Sequence, residues 1–142
     1  MILYLDASAL VKRYILEKFS EDVNSWIDTA DMVVTSLLTR VEVAAAISRA
    51  GRMKLISTPE ALAALHQFRS EWESFYRLQI TESTVVRGDT LAVEYNLRGY
   101  DATHLACALM WQETLGIPVT LASFDHQLIE AAREIQMDFL PT

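Results

Sequence analysis

Asp6, Glu42, Asp101 and Asp125 each stand where a core-facing or strand-end apolar residue is expected. Asp6 closes the strand-like run ILYLD, Glu42 lies inside TRVEVAAAI, Asp101 opens the helical stretch DATHLACALM, and Asp125 follows the strand-like VTLAS. Carboxylates that share a partly desolvated cleft repel one another, so they take up protons or bind a cation of matching charge. Hard divalent cations choose oxygen ligands, and magnesium keeps several waters while accepting one or a few carboxylates plus substrate phosphate. If the fold gathers these four acids, it builds a cation site suited to phosphate-ester chemistry.

The elements that must position them alternate in type. Residues 2–5 (ILYL) form a short apolar run, as in a strand buried on both faces of a parallel sheet. A helix is predicted from about Ser8, with Asp6 and Ser8 able to satisfy free amides at its start, and a second from Ser20. Residues 31–35 read as the next strand, and 37–50 as an alanine-rich helix stopped by Gly51. Ser57, Thr58, Pro59 and Glu60 combine a cap, a first-turn proline and an acid. The helix they start carries Leu62, Leu65, Phe68, Trp72, Phe75 and Tyr76, a stripe that fits a core face or, in part, a partner surface. Strand 77–80, a helix over about 82–97 ending near Gly99, helix 101–115, strand 119–122, a helix over about 124–135 and an edge strand at 137–140 complete the order. Such alternation implies right-handed crossovers and a mainly parallel sheet of four or five strands with helices on both faces.

In sheets of this kind ligands bind outside the carboxyl ends of the strands, where strand order reverses. Asp6 and Asp125 fall on that edge. Helical spacing aligns Asp101 with Leu105 and Leu109, Glu42 with Leu38, Ala45 and Ala46, and Asp125 with Leu128, Ile129 and Ala132, so all three lean toward apolar faces. Each acid has an ordinary explanation alone, as a helix cap or a half-exposed helix residue. Their joint recurrence at comparable places favours a shared site.

Composition sets the wider bounds. The chain has 142 residues, 51% hydrophobic and 22% charged, with 4 Gly and 3 Pro, which suits one globular domain spanning 1–142. The lone Cys107 lies in an apolar helix and reads as a core residue. The N-terminus is apolar but lacks a basic leader and is interrupted at Asp6, so neither a signal peptide nor a membrane span is expected, and a cytoplasmic location is. The net charge of −7 argues against a nucleic-acid-coating protein. Of the 19 acids, however, setting the 4 candidates aside leaves 15 against 12 bases, so any RNA contact would be local and metal-assisted.

The strings LDASALV around Asp6, RVE ending at Glu42, RGYDATHLA around Asp101 and SFD ending at Asp125 run in one order across nearly the whole chain. Together they resemble the PIN-domain ribonucleases, most closely the VapC-type toxins of bacterial and archaeal toxin–antitoxin pairs. The resemblance implies a Rossmann-like PIN fold in which Asp6, Glu42, Asp101 and Asp125 bind magnesium or manganese and cut RNA, leaving a 5′-phosphate and a 3′-hydroxyl. It makes Ser8 and Ser123 the hydroxyls beside the first and last acids, able to orient a carboxylate or a water. It also implies a homodimer and a small antitoxin whose tail crosses the active-site groove.

Two rivals remain at this level. A phosphatase or receiver domain also places Asp at a strand end, but the former wants a second Asp where Ser8 stands and the latter a Lys that VTLASFD lacks. A PIN-like module that binds RNA or protein without cutting would use the acids as caps. His66, His104 and His126 are the only histidines for metal-free acid–base catalysis, and each reads first as a local hydrogen-bonding or solvated side chain. Lys12, Arg13, Arg40, Arg98, Arg49, Arg52 and Lys54 could each hold a phosphate or simply line solvated helix faces.

Overall fold

The run Ile2–Leu5 (β1) becomes the centre of a five-stranded, all-parallel sheet in the computed structural model, which describes residues 1–142. Leu3 and Leu5 project into one hydrophobic layer and Tyr4 into the other, which is why this strand is apolar at every position. Met32–Ser36 (β2) and Tyr76–Leu78 (β3) lie to one side, Val119–Ala122 (β4) and Phe139–Leu140 (β5) to the other, in the order β3-β2-β1-β4-β5. The chain therefore steps outward from β1 to β3 and then crosses back to pair β4 with β1, aligning Leu5 with Ala122. The strand order reverses between β1 and β4, and the residues following those strands occupy the switch point.

One layer holds Ala7–Leu10 (α1), Ser20–Thr29 (α2), Leu37–Arg52 (α3) and Thr58–Glu71 (α4) against Leu3, Leu5 and Ala122. The other holds Glu82–Tyr95 (α5), Gly99–Leu115 (α6) and His126–Glu134 (α7) against Tyr4, Val34 and Leu121. Phe68, Trp72 and Phe75 of the aromatic stripe are buried, with edge-to-face contacts along the series, whereas Leu62 and Tyr76 face out. That stripe is chiefly core. Cys107 is buried, as its setting predicts. No helix is long and apolar enough to cross a membrane.

Two glycines differ from expectation. Gly51 lies inside α3, which runs on to Arg52, and a methyl group there would meet Ala61 Cβ of α4 at 3.1 Å. Its role is close helix approach rather than termination. Likewise α5 ends at Tyr95 with Asn96 in the left-handed conformation (φ 53°), and Gly99 is the first residue of α6. Asn tolerates that conformation because its short polar side chain bonds locally.

Candidate active site

Asp6 leaves the end of β1 and caps α1, accepting the Ala9 amide at Oδ1 (3.0 Å). The Ser8 hydroxyl donates to the same oxygen (2.7 Å) and the Ser123 hydroxyl donates to Oδ2 (2.6 Å). Ser123 follows β4 and is fully buried; its oxygen also accepts the Asp125 amide (3.1 Å), while Ser8 accepts the Phe124 amide (2.8 Å). Two short polar segments from adjacent strand ends are thereby stitched together around one carboxylate. Asp6 is only 3% exposed, and burial raises its pKa despite the nearby His104 and the hydroxyl donors.

Asp125 caps α7 through Oδ1 and the Leu128 amide (3.0 Å). Its Oδ2 accepts Nη2 of Arg98 (2.7 Å), and the same guanidinium reaches Oδ2 of Asp101 through Nε (3.3 Å). Asp101 sits in the first turn of α6, and its carboxylate is almost wholly buried. Desolvation, with the negative charges of Asp125 and Asp6 adding to it, pushes its pKa to about 6 against the partial relief from Arg98. The mutual influence of Asp6, Asp101 and Asp125 marks one acidic locus at the carboxyl edge of β1 and β4.

Glu42 is held differently. The buried stripe of α3 is Thr39, Val43, Ile47 and Ala50, so Glu42 rides its rim with a side chain about a quarter exposed, correcting the alignment with Leu38, Ala45 and Ala46 as its apolar face. Its Oε1 lies 2.6 Å from Nε2 of His104, one helical turn beyond Asp101. Nδ1 of His104 lies 2.7 Å from the hydroxyl of fully buried Tyr4. Burial holds the Tyr4 phenol protonated, so it donates to Nδ1 and leaves the Nε2 proton for Glu42. Spacing singles out His104 only as a neighbour of Asp101; its buried link to residues 62 and 100 positions away has no sequence signal.

As these side chains stand, no three His, Cys, Asp or Glu groups converge closely enough to hold a metal ion. Arg98 occupies Oδ2 of Asp101 and Oδ2 of Asp125, and His104 engages Glu42. The donor set nevertheless suits a hard cation: it is all oxygen, and a positive group already bridges two of the acids. Among the other cations, Lys12 pairs with Glu17, and Arg13 with Glu71 and Asn24. Arg40 stacks over Trp72. His66 and His126 are exposed on helices, and His104 is the histidine that pairs with one of the acids.

The PIN domain family model matches residues 3–134. Over 141 residues the chain is 33% identical to Ribonuclease VapC35 of Mycobacterium tuberculosis, covering 96% of this chain and 93% of that protein. It is 32% identical over 128 residues to Ribonuclease VapC45 of the same species, covering 89% and 86%. Among solved structures, FitAcB from Neisseria gonorrhoeae superposes with a TM-score of 0.69 over 99% of this chain and 97% of that one, at 14% identity, a likeness of fold. With the family match spanning nearly its full length and ribonuclease relatives above 30% identity, the chain belongs to the PIN-domain family, alongside the VapC ribonucleases.

Proposed function

We propose that this protein is a magnesium- or manganese-dependent endoribonuclease, the toxin of a VapBC-type pair, acting at the edge formed by Asp6, Asp101 and Asp125. The observation that carries this reading is the Arg98 guanidinium bridging Asp101 and Asp125 beside Asp6, which marks a place where positive charge is favoured. A divalent ion bound there would lower the pKa of a water and stabilise charge on the attacked phosphate. Asp6 is fixed for such service by three donors, and Asp101 is ionised above about pH 6. Glu42, anchored by His104 through Oε1, would act through a water. Ser8 and Ser123 are positioning residues that orient Asp6.

The relatives named as ribonucleases support RNA as the substrate, and the likeness of fold to a chain of a toxin–antitoxin complex supports a small antitoxin as the partner. A homodimer and a cytoplasmic site of action belong to the same proposal. The test is cleavage of a structured RNA by the purified chain with Mg²⁺ or Mn²⁺, with chelator, and with Asp6→Asn or Asp101→Asn. Loss of at least about a hundredfold in rate on chelation or with either variant is expected. Cleavage untouched by all three would reject the mechanism. The non-cleaving alternative draws on the committed state of the acids, as caps and ion pairs, and the same assay decides it.

A further inference from the structure

Five donor groups satisfy most of the oxygens at the acidic edge, and the Arg98 guanidinium is the one that can leave without breaking the fold. Asp6 spends Oδ1 on Ser8 and the Ala9 amide and Oδ2 on Ser123. Asp125 spends Oδ1 on the Leu128 amide at the start of α7, so Oδ2 is its uncommitted oxygen, and Arg98 holds it at 2.7 Å. The same guanidinium holds Oδ2 of Asp101 at 3.3 Å. A small divalent ion seeks such oxygens at roughly 2.0–2.1 Å and repels a neighbouring guanidinium. Both cations cannot occupy these two oxygens together.

Arg98 is built to give way. Its backbone is fixed in extended geometry at the N-cap of α6, but its side chain is 57% exposed, unlike the 4% of Asp101. The Tyr100 ring, its centroid 4.9 Å from the guanidinium carbon while the bridge stands, is a contact the charge can keep as the carboxylates let go. Resting on the metal-dependent reading above, we infer that Arg98 is the resident cation of the site, displaced when a divalent ion enters, and that this exchange sets metal affinity. A resident arginine spares the apoprotein the repulsion of two close carboxylates and at the same time competes with the metal.

The test is a Mn²⁺ titration followed by electron paramagnetic resonance on the purified full chain, comparing wild type with Arg98→Ala and Arg98→Gln. Removing the competitor is expected to tighten Mn²⁺ binding about three- to tenfold in both variants. Without metal the variants melt lower than wild type, and Mn²⁺ raises their Tm by more. Arg98→Gln keeps most of the side-chain volume and secures the comparison if the alanine variant folds poorly. Unchanged or weaker Mn²⁺ affinity in a folded variant overturns the exchange while leaving the metal site standing. No Mn²⁺ binding by any of the three proteins overturns the metal site and the exchange with it.

Discussion

His104 Nε2 lies 2.6 Å from Glu42 Oε1, tying the first half of α6 to the rim of α3 across the top of the sheet. The ring is 1% exposed and its other nitrogen meets the buried Tyr4 hydroxyl. One imidazole thus closes a chain from the central strand to the cleft, and Tyr4 and Glu42 both depend on it for a partner. His104→Ala strands a buried phenol and opens a cavity, so unfolding in urea is expected to show a loss of about 3 kcal/mol. Tyr4→Phe, which removes one hydrogen bond and little volume, is expected to lose about 1 kcal/mol. Equal stability of wild type and His104→Ala would mean that the chain is not formed.

The Asp101 carboxyl, with its pKa pushed up to about 6, makes stability fall as pH rises. Below about pH 4 folded and unfolded states both carry the proton, and no penalty exists. Through about 6 the folded state must ionise this group in a poorly hydrated place beside Asp125 and Asp6, and stability is lost across that window. Without divalent ions, Asp101→Asn is therefore expected to be more stable than wild type at pH 7.5 by about 2 kcal/mol and to match it near pH 4. Urea titrations at the two pH values check this, and a variant less stable at pH 7.5 contradicts it.

The same ionisation limits activity. Because the acid form of Asp101 cannot serve as an anionic ligand, RNA cleavage at limiting Mn²⁺ is expected to rise through about pH 6, the region where its carboxyl titrates without metal. A profile at limiting Mn²⁺ that stays flat from pH 5 to pH 8 would count against Asp101 as a ligand.

Ser123 donates to Asp6 and accepts from the Asp125 amide, so it couples two acids through one oxygen. Ser123→Ala leaves a buried carboxylate short of a donor and is expected to cost about 2 kcal/mol at neutral pH. Asp6 would then hold its proton more strongly, shifting the rise of cleavage with pH upward. Ser123→Thr, which restores the hydroxyl, should bring the profile back toward wild type. A Ser123→Ala protein with wild-type stability and pH profile would count against the coupling.

Phe68 tests the split between core and surface in the aromatic stripe. It is fully buried and packs edge-to-face with Tyr14 and Trp72, so Phe68→Ala is expected to cost about 3–5 kcal/mol. Leu62, 63% exposed on the same helix, should tolerate Ser within about 0.5 kcal/mol. Thermal melts of the two variants make the comparison.

The primary sequence by itself determined the alternation of strands and helices, because burial on both sheet faces forces runs such as ILYL and VTLA to be apolar throughout. It also located Asp6 and Asp125 at strand ends, since a carboxylate that ends an apolar run must sit where the chain leaves the core. Strong local chemistry, as in the reciprocal cap of Ser57 and Glu60, was legible for the same reason: its partners are three residues apart. What decided the rest was distance along the chain. The need for glycine at position 51 depended on Ala61 across a helix pair, and the rim position of Glu42 depended on which stripe of α3 was buried. The Tyr4, His104 and Glu42 chain and the Arg98–Asp125 arm of the bridge join side chains 27 to 100 residues apart. Only tertiary packing sets such distances, and electrostatic coupling between these groups exists only once it does.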